Sequence, residues 1–271
     1  MRFLNIMGKS AVDFFRDGGF ILAGSIAYFT MMALFPFCLF LITLFGHFLG
    51  YYPEFYKFFL NRLVSLFPSV TGEISNEILK LISYRGIGKF SLLLYGLFSY
   101  SVFGSIEHAM NVIFRVTKKR NIIFSLILSL IMVTLIIALI ILSFAAASVF
   151  PLLEAIKPLL PALRIGRFTA FIIRFVFPFI MVLLTVTAIY RLIPKAKVKL
   201  LNSFKGAFFT TLFLEIAKHV FTWYVVVIVH FGRIYGPLTA FVLFLLWTFY
   251  SCSIFLIGAE IVHNLGISRK S

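Results

Sequence analysis

Six apolar runs, separated mostly by short basic loops, constrain this chain more than any motif. They occupy residues 19–49, 90–114, 122–153, 168–190, 206–230 and 235–265. Each reaches the roughly 20 residues that a helix needs to cross hydrocarbon. The first, third and last exceed that length, so tilt, kinks or extensions past the bilayer are expected. Of the 271 residues 62% are hydrophobic and 13% charged, with a mean hydropathy of +1.07. A soluble domain has about a quarter charged residues, so hydrocarbon is the solvent. The expected fold is an all-α polytopic membrane protein with six transmembrane helices.

The loops set the orientation. Arg2, Lys9 and Arg16 lie at the N-terminus, and Arg115, Lys118, Lys119 and Arg120 in the second loop. Arg191, Lys195, Lys197, Lys199 and Lys205 follow in the fourth, and Arg269 and Lys270 at the C-terminus. The opposite loops carry Glu54, Glu73, Glu77 and Glu154. The positive-inside rule then puts both termini in the cytoplasm. The net charge of +16 is read as attraction to anionic headgroups rather than to nucleic acid. Arg115, Lys118, Arg120, Arg191 and Lys195 are the candidate headgroup contacts.

Residues 1–18 read as an amphipathic cytoplasmic surface helix with its basic residues among headgroups; the alternative is a frayed tail. Residues 19–265 form the transmembrane domain and 266–271 a cytoplasmic tail. An outer loop at 50–89 carries short amphipathic helices, since Ile74, Ile78, Leu81 and Ile82 share one helical face. No cleaved signal is read at the N-terminus, where charges are spread throughout. Cys38 and Cys252 both lie in apolar runs and suggest neither a disulfide framework nor a zinc site.

Two of the runs echo each other. Phe35-Pro36-Phe37 in the first matches Phe177-Pro178-Phe179 in the fourth. A proline removes a helical hydrogen bond, and inside lipid the freed carbonyl needs a partner. Helix breaks at Pro36 and Pro178 would fit a 3+3 inverted repeat, as in many transporters. The alternative is coincidence in a chain with 36 phenylalanines.

Ionisable groups inside a span are functional candidates by default. Gly104, Glu107, His108 and Asn111 are spaced for one face of the second span. Thr211, Glu215, Lys218, His219 and Thr222 are spaced likewise in the fifth, and Glu260 and His263 lie one turn apart in the last. Glu107, His108, Asn111, Glu215, Lys218, His219, Glu260 and His263 are read as a polar path. Structural pairing that pins helices together is the competing account. Glu260-x-x-His263 also has the spacing of a helix-borne metal pair, but only one such pair is present, so no metal and no cofactor is expected. Gly24, Gly96, Gly104 and Gly258 would let helices approach closely. No phosphate loop, nucleophile elbow or H-E-x-x-H run occurs, and no enzymatic activity is expected.

The segments AGSIAYFTMMALFPFCLFLITLFG, GSIEHAMNVIFRV, IPKAKVKLLNSFKGA and YGPLTAFVLFLLWTFYSCSIFLIGAEI resemble the YihY/BrkB family of bacterial inner-membrane proteins, once labelled ribonuclease BN. Glu107, Asn111 and Arg115 stand at matching places, as do Trp247 and Gly258-Ala259-Glu260. Departures are Pro237 and the IPK of the fourth loop. The resemblance implies six spans with cytoplasmic termini and weakly favours handling of lipids or lipopolysaccharide precursors. The function expected is a transporter or flippase-like carrier of an amphipathic, anionic lipid. The alternatives are a small-ion or small-solute channel or carrier, and a non-transporting lipid-binding scaffold. Expected partners are membrane lipids and no nucleic acid, with a homo-oligomer or other envelope proteins left open.

Overall fold

The computed structural model describes residues 2–49, 87–116, 175–229 and 237–267. Every regular element among them is helical: α1 (Arg2–Arg16), α2 (Gly19–Leu49), α3 (Ile87–Ile113), α4 (Phe177–Leu192), α5 (Leu200–Val229) and α6 (Pro237–Ile267). The third expected span, most of the outer loop, the turn between the last two spans, Lys118 and Arg120 lie outside the described residues.

Helix ends follow local chemistry. Gly18, with φ 70°, takes the left-handed position after α1, where a side chain would be strained. Gly19 follows because a Cβ there would overlap the Phe14 ring. The end of α3 is a Schellman motif. Val116 N–H donates to Asn111 O (2.9 Å) and Arg115 N–H to Val112 O (3.1 Å). Arg115, at φ 53°, occupies the position glycine usually takes. Pro194 cannot continue α4, and Ile193 closes that helix with an N–H bond to Ile189 O (3.1 Å).

The two matched prolines behave differently. α2 runs through Pro36 as one 31-residue helix, so the break expected there is not seen. Pro178 lies in the first turn of α4, after a π-helical turn at 175–176; a missing N–H costs nothing at that position. α5 begins at Leu200, six residues before the expected span, because nothing in Leu-Leu-Asn-Ser-Phe-Lys forbids helix. Basic residues had marked that stretch as loop.

α2, α5 and α6 have 30 or 31 residues, about 45 Å each. Among the described residues, Val242–Ile267 is long and apolar enough to cross a membrane; Gly19–Ala33 and Phe177–Leu192 are shorter apolar stretches. The helices leave large apolar side chains uncovered: Ile21 is 80% exposed, Trp223 69%, Leu93 67% and Val220 58%. Such surfaces suit a lipid solvent and would associate in water.

The chain forms two compact units. The second, residues 20–106 and 216–253, buries Ala23, Ile26, Ala27 and Phe103. In it Ser25 and Ser105 share a hydrogen bond (3.3 Å) and Phe221 meets Trp247 at 5.1 Å between centroids. Gly24 faces the Phe249 ring. A Cβ at Gly96 or Gly104 would meet no described atom within 4 Å, so close helix approach, expected there, is absent among the described residues.

The first unit, residues 1–19, 107–215 and 254–271, holds α1, α4 and the adjoining parts of α3, α5 and α6. Met110, Tyr190, Ala207, Leu256 and Ile261 are fully buried in it. α5 and α6 touch at two glycines. A Cβ on Gly206 would strike Val262, and one on Gly258 would overlap Thr210 and Tyr190. α1 is fixed to this unit by its polar stripe, burying Ser10, Asp13 and Phe14 while Lys9, Val12, Phe15 and Arg16 stay exposed.

Candidate functional site

The candidate site lies wholly in the first unit and is framed by Tyr190. This side chain, at the end of α4, is fully buried. Its hydroxyl donates to the Phe255 carbonyl of α6. A phenol has one proton, so the Thr210 hydroxyl of α5 donates to it in turn, at 2.7 Å. Three helices are thereby held in register.

Beside this frame, Glu107 of α3 meets Lys195 of the α4–α5 connection at 3.1 Å, with side chains 12% and 13% exposed. The sequence had assigned Glu107 to the polar path and Lys195 to the headgroup rim; the fold joins them in one ion pair. Asn111 follows one turn along α3, with its Oδ1 buried and without a hydrogen-bond partner. His108 is exposed, because adjacent helical residues point about 100° apart.

On α5, Thr211 is 3% exposed and its Oγ1 has no partner. Glu215 is half-buried, while Lys218 and His219 are exposed; none of the three is free of interactions. Lys218 and His219 belong to the second unit. Arg191 is exposed.

The last turns of α6 hold the densest polar group. Glu260 is 1% exposed; its carboxyl shares a hydrogen bond with Asp17, while Oε1 has no hydrogen-bond partner among the described residues. Asp13 and Asp17 of α1 and the strained Arg115 act on it electrostatically. Asn264 Nδ2 donates to Ser10 Oγ (3.1 Å) and Asp13 Oδ2 (2.9 Å), so α1 is clasped by an amide. The His263 ring stands edge-on to Phe114, at 5.5 Å between centroids, and its Nε2 is buried without a partner. Among the described residues no group of three His, Cys, Asp or Glu is arranged to hold a metal ion.

A cavity of about 250 Å³ opens next to His263. Lys197, Lys199 and Asn202 line it together with Phe114, Val198, Val262 and Ile267. Its lining thus combines cationic and polar groups with apolar ones.

Sequence reasoning missed Ser10, Asp13, Asp17 and Asn264. The spacing of the first three placed them on one face of α1, a signal overlooked because attention went to that helix's basic residues. Tyr190 and Thr210 gave no signal, as a tyrosine near a helix end is ordinary in a membrane protein.

The sequence pattern of the family described as virulence factor BrkB matches residues 11–269. A UPF0761 membrane protein of Rhodospirillum centenum is 28% identical over 266 residues, covering 97% of this chain and 57% of that protein. One from Pelodictyon phaeoclathratiforme is 29% identical over 260 residues, with 94% and 58% covered. In Haemophilus influenzae a UPF0761 membrane protein is 26% identical over 252 residues, with 90% and 88% covered. The chain spans about six tenths of the length of the first two relatives. No solved structure matches.

Proposed function

The chain belongs to the virulence factor BrkB family of membrane proteins, and from that premise we propose that it carries an amphipathic lipid across the bacterial inner membrane. In this reading it has six spans and cytoplasmic termini. One observation carries the proposal. Asn111 Oδ1, Thr211 Oγ1, Glu260 Oε1 and His263 Nε2 are buried in one unit with no hydrogen-bond partner among the described residues. Each such atom costs about 1–3 kcal/mol, against a total stability of about 5–15 kcal/mol for a typical domain. Apolar side chains would fill a dry core at lower cost. Polar atoms at these positions fit a lining that water or a headgroup completes.

A non-transporting scaffold accounts for the Glu107–Lys195 pair but not for four unpaired atoms. A small-solute carrier accounts for those atoms but not for the apolar part of the neighbouring cavity's lining.

The test is lipid translocation in vesicles. Purified full-length chain is reconstituted into phosphatidylcholine–phosphatidylglycerol vesicles doped with fluorescent phosphatidylglycerol, and dithionite quenches the outer leaflet. Wild type is expected to expose inner-leaflet label far faster than empty vesicles. Glu260→Gln, matched in melting temperature, is expected to slow exchange about tenfold, equivalent to about 1.4 kcal/mol in barrier. Quenching in wild-type vesicles at the rate of empty ones sinks the carrier reading.

A further inference from the structure

We propose that the cavity at the start of α5 is a phosphate-binding site, taking the headgroup of an anionic lipid between Lys197, Lys199, Asn202 and His263. The proposal rests on the lipid-carrier reading for the source of the phosphate, though not for the site's chemistry.

The start of α5 is wrong for a helix on its own. The N-terminal end of a helix is positive and favours acids or oxygen-bearing caps. α5 has no acid in its first turn, and Lys199 stands immediately before it, with Lys197 two residues earlier. Asn202 and Ser203 N–H groups both reach back to the Lys199 carbonyl, at 3.0 and 3.1 Å. The N–H groups of Leu200 and Leu201 have no carbonyl one turn behind them within the helix. Two ammonium groups and a helix dipole therefore add at one point. Departures from local preference of this kind mark function more often than accident, and an anion is the species that resolves them.

A second observation is independent of the helix end. Asn202 lines the cavity and is 5% exposed, and no hydrogen bond of its side chain occurs among the described residues. An amide beside Val262 with no protein partner leaves its donors to whatever fills the cavity. His263 lines the same cavity, with its Nε2 buried away from it. No acid lines the cavity, so nothing on its walls repels a phosphate.

Size and shape narrow the ligand. At about 250 Å³ the cavity falls just below the roughly 300–1,000 Å³ of pockets that enclose drug-sized molecules. It suits a glycerophosphate head and not a whole lipid. Phe114, Val262 and Ile267, the last 45% exposed, are the apolar members of the lining, against which the glycerol backbone and first methylenes would lie. This arrangement differs from the expected rim, in which Lys195 is spent on Glu107.

Binding to the full-length chain in dodecylmaltoside is measured by calorimetry. The probes are dihexanoylphosphatidylglycerol, dihexanoylphosphatidylcholine, glycerol 3-phosphate and inorganic phosphate. Wild type is expected to bind the anionic lipid best, with affinity falling as salt rises. The Lys197→Gln/Lys199→Gln double variant changes only exposed residues and is expected to lose at least about tenfold. Asn202→Asp, which places a negative charge in the cavity, is expected to abolish binding. Lys205→Gln, an exposed charge outside the lining, keeps wild-type affinity. Wild-type affinity in both the double variant and Asn202→Asp overturns the site, as does a wild type that binds none of the anionic probes. Glycerol 3-phosphate binding as tightly as the lipid supports the phosphate site and overturns a lipid as its source. Site-dependent lipid binding without translocation in vesicles leaves the site standing and removes the carrier reading. Translocation with unaltered binding in the variants does the reverse.

Discussion

Gly258→Ala adds one carbon to this protein, and the structure makes it expensive. The new Cβ would overlap both the Thr210 Oγ1 and the Tyr190 hydroxyl. Neither can yield freely, because Tyr190 is fully buried and hydrogen-bonded to Phe255 O, and Thr210 is fully buried and bonded to Tyr190. Moving them breaks one or both bonds, at about 1–3 kcal/mol for each buried hydroxyl left unpaired. Overpacking adds about 1–3 kcal/mol. Better helix propensity returns about 1 kcal/mol. With one hydroxyl left unpaired the net expectation is a loss of about 1–5 kcal/mol. For a chain of this size about 2–4 °C accompanies each kcal/mol, so the melting temperature in detergent should fall by roughly 2–20 °C. Retention of the monodisperse peak after heating, followed by size-exclusion chromatography, measures it. Gly96→Ala is the control: its Cβ would meet no described atom within 4 Å, so it should be neutral or slightly stabilising. Combining Gly258→Ala with Thr210→Ala removes one colliding oxygen and should show a coupling of about 1 kcal/mol or more. If Gly258→Ala melts within 2 °C of wild type, on the order of 1 kcal/mol or less, the tight α5–α6 crossing is refuted.

Three further perturbations follow from the same coordinates. Glu107→Gln or Lys195→Gln alone should cost about 2 kcal/mol or more by removing one side of a nearly buried ion pair, and the double variant should recover much of it; additive losses in the thermal assay would deny the pairing. Asn264→Ala removes the hydrogen bonds to Ser10 and Asp13 and should loosen α1. Amide exchange across residues 2–16 should then rise by about tenfold, and unchanged protection would show that the amide clasp is dispensable. Arg115→Gly relieves a left-handed backbone at φ 53° and should stabilise the end of α3 by about 1 kcal/mol, while its charge beside Glu260 is lost. A lowered melting temperature would mean that the guanidinium, not the strain, dominates.

Hydropathy alone located several helices well. α2 begins at Gly19 and ends at Leu49, as the apolar run does, because each segment's preference for hydrocarbon is a property of its own residues. Pro194 and Pro237 stand at helix boundaries in the structure, since a missing N–H acts locally. Charge misled at Leu200, where basic residues were taken for loop although they oppose helix only weakly.

Rotation and contact were decided by the tertiary structure. Glu107 and His108 are neighbours in sequence, yet one is paired with Lys195 and the other is exposed. Which residues meet depends on how helices turn and slide against each other, and steric detail such as Gly206 on Val262 sets that. The same holds for Lys197, Lys199, Asn202 and His263. In the sequence they are scattered bases, an asparagine and a distant histidine; only packing α6 beside the start of α5 makes them part of one cavity's lining. The amino-acid order thus determined a lipid-solvated set of helices, because transfer energy sums along each segment. Partnership among the polar groups came from the fold, because it depends on distances that no single segment contains.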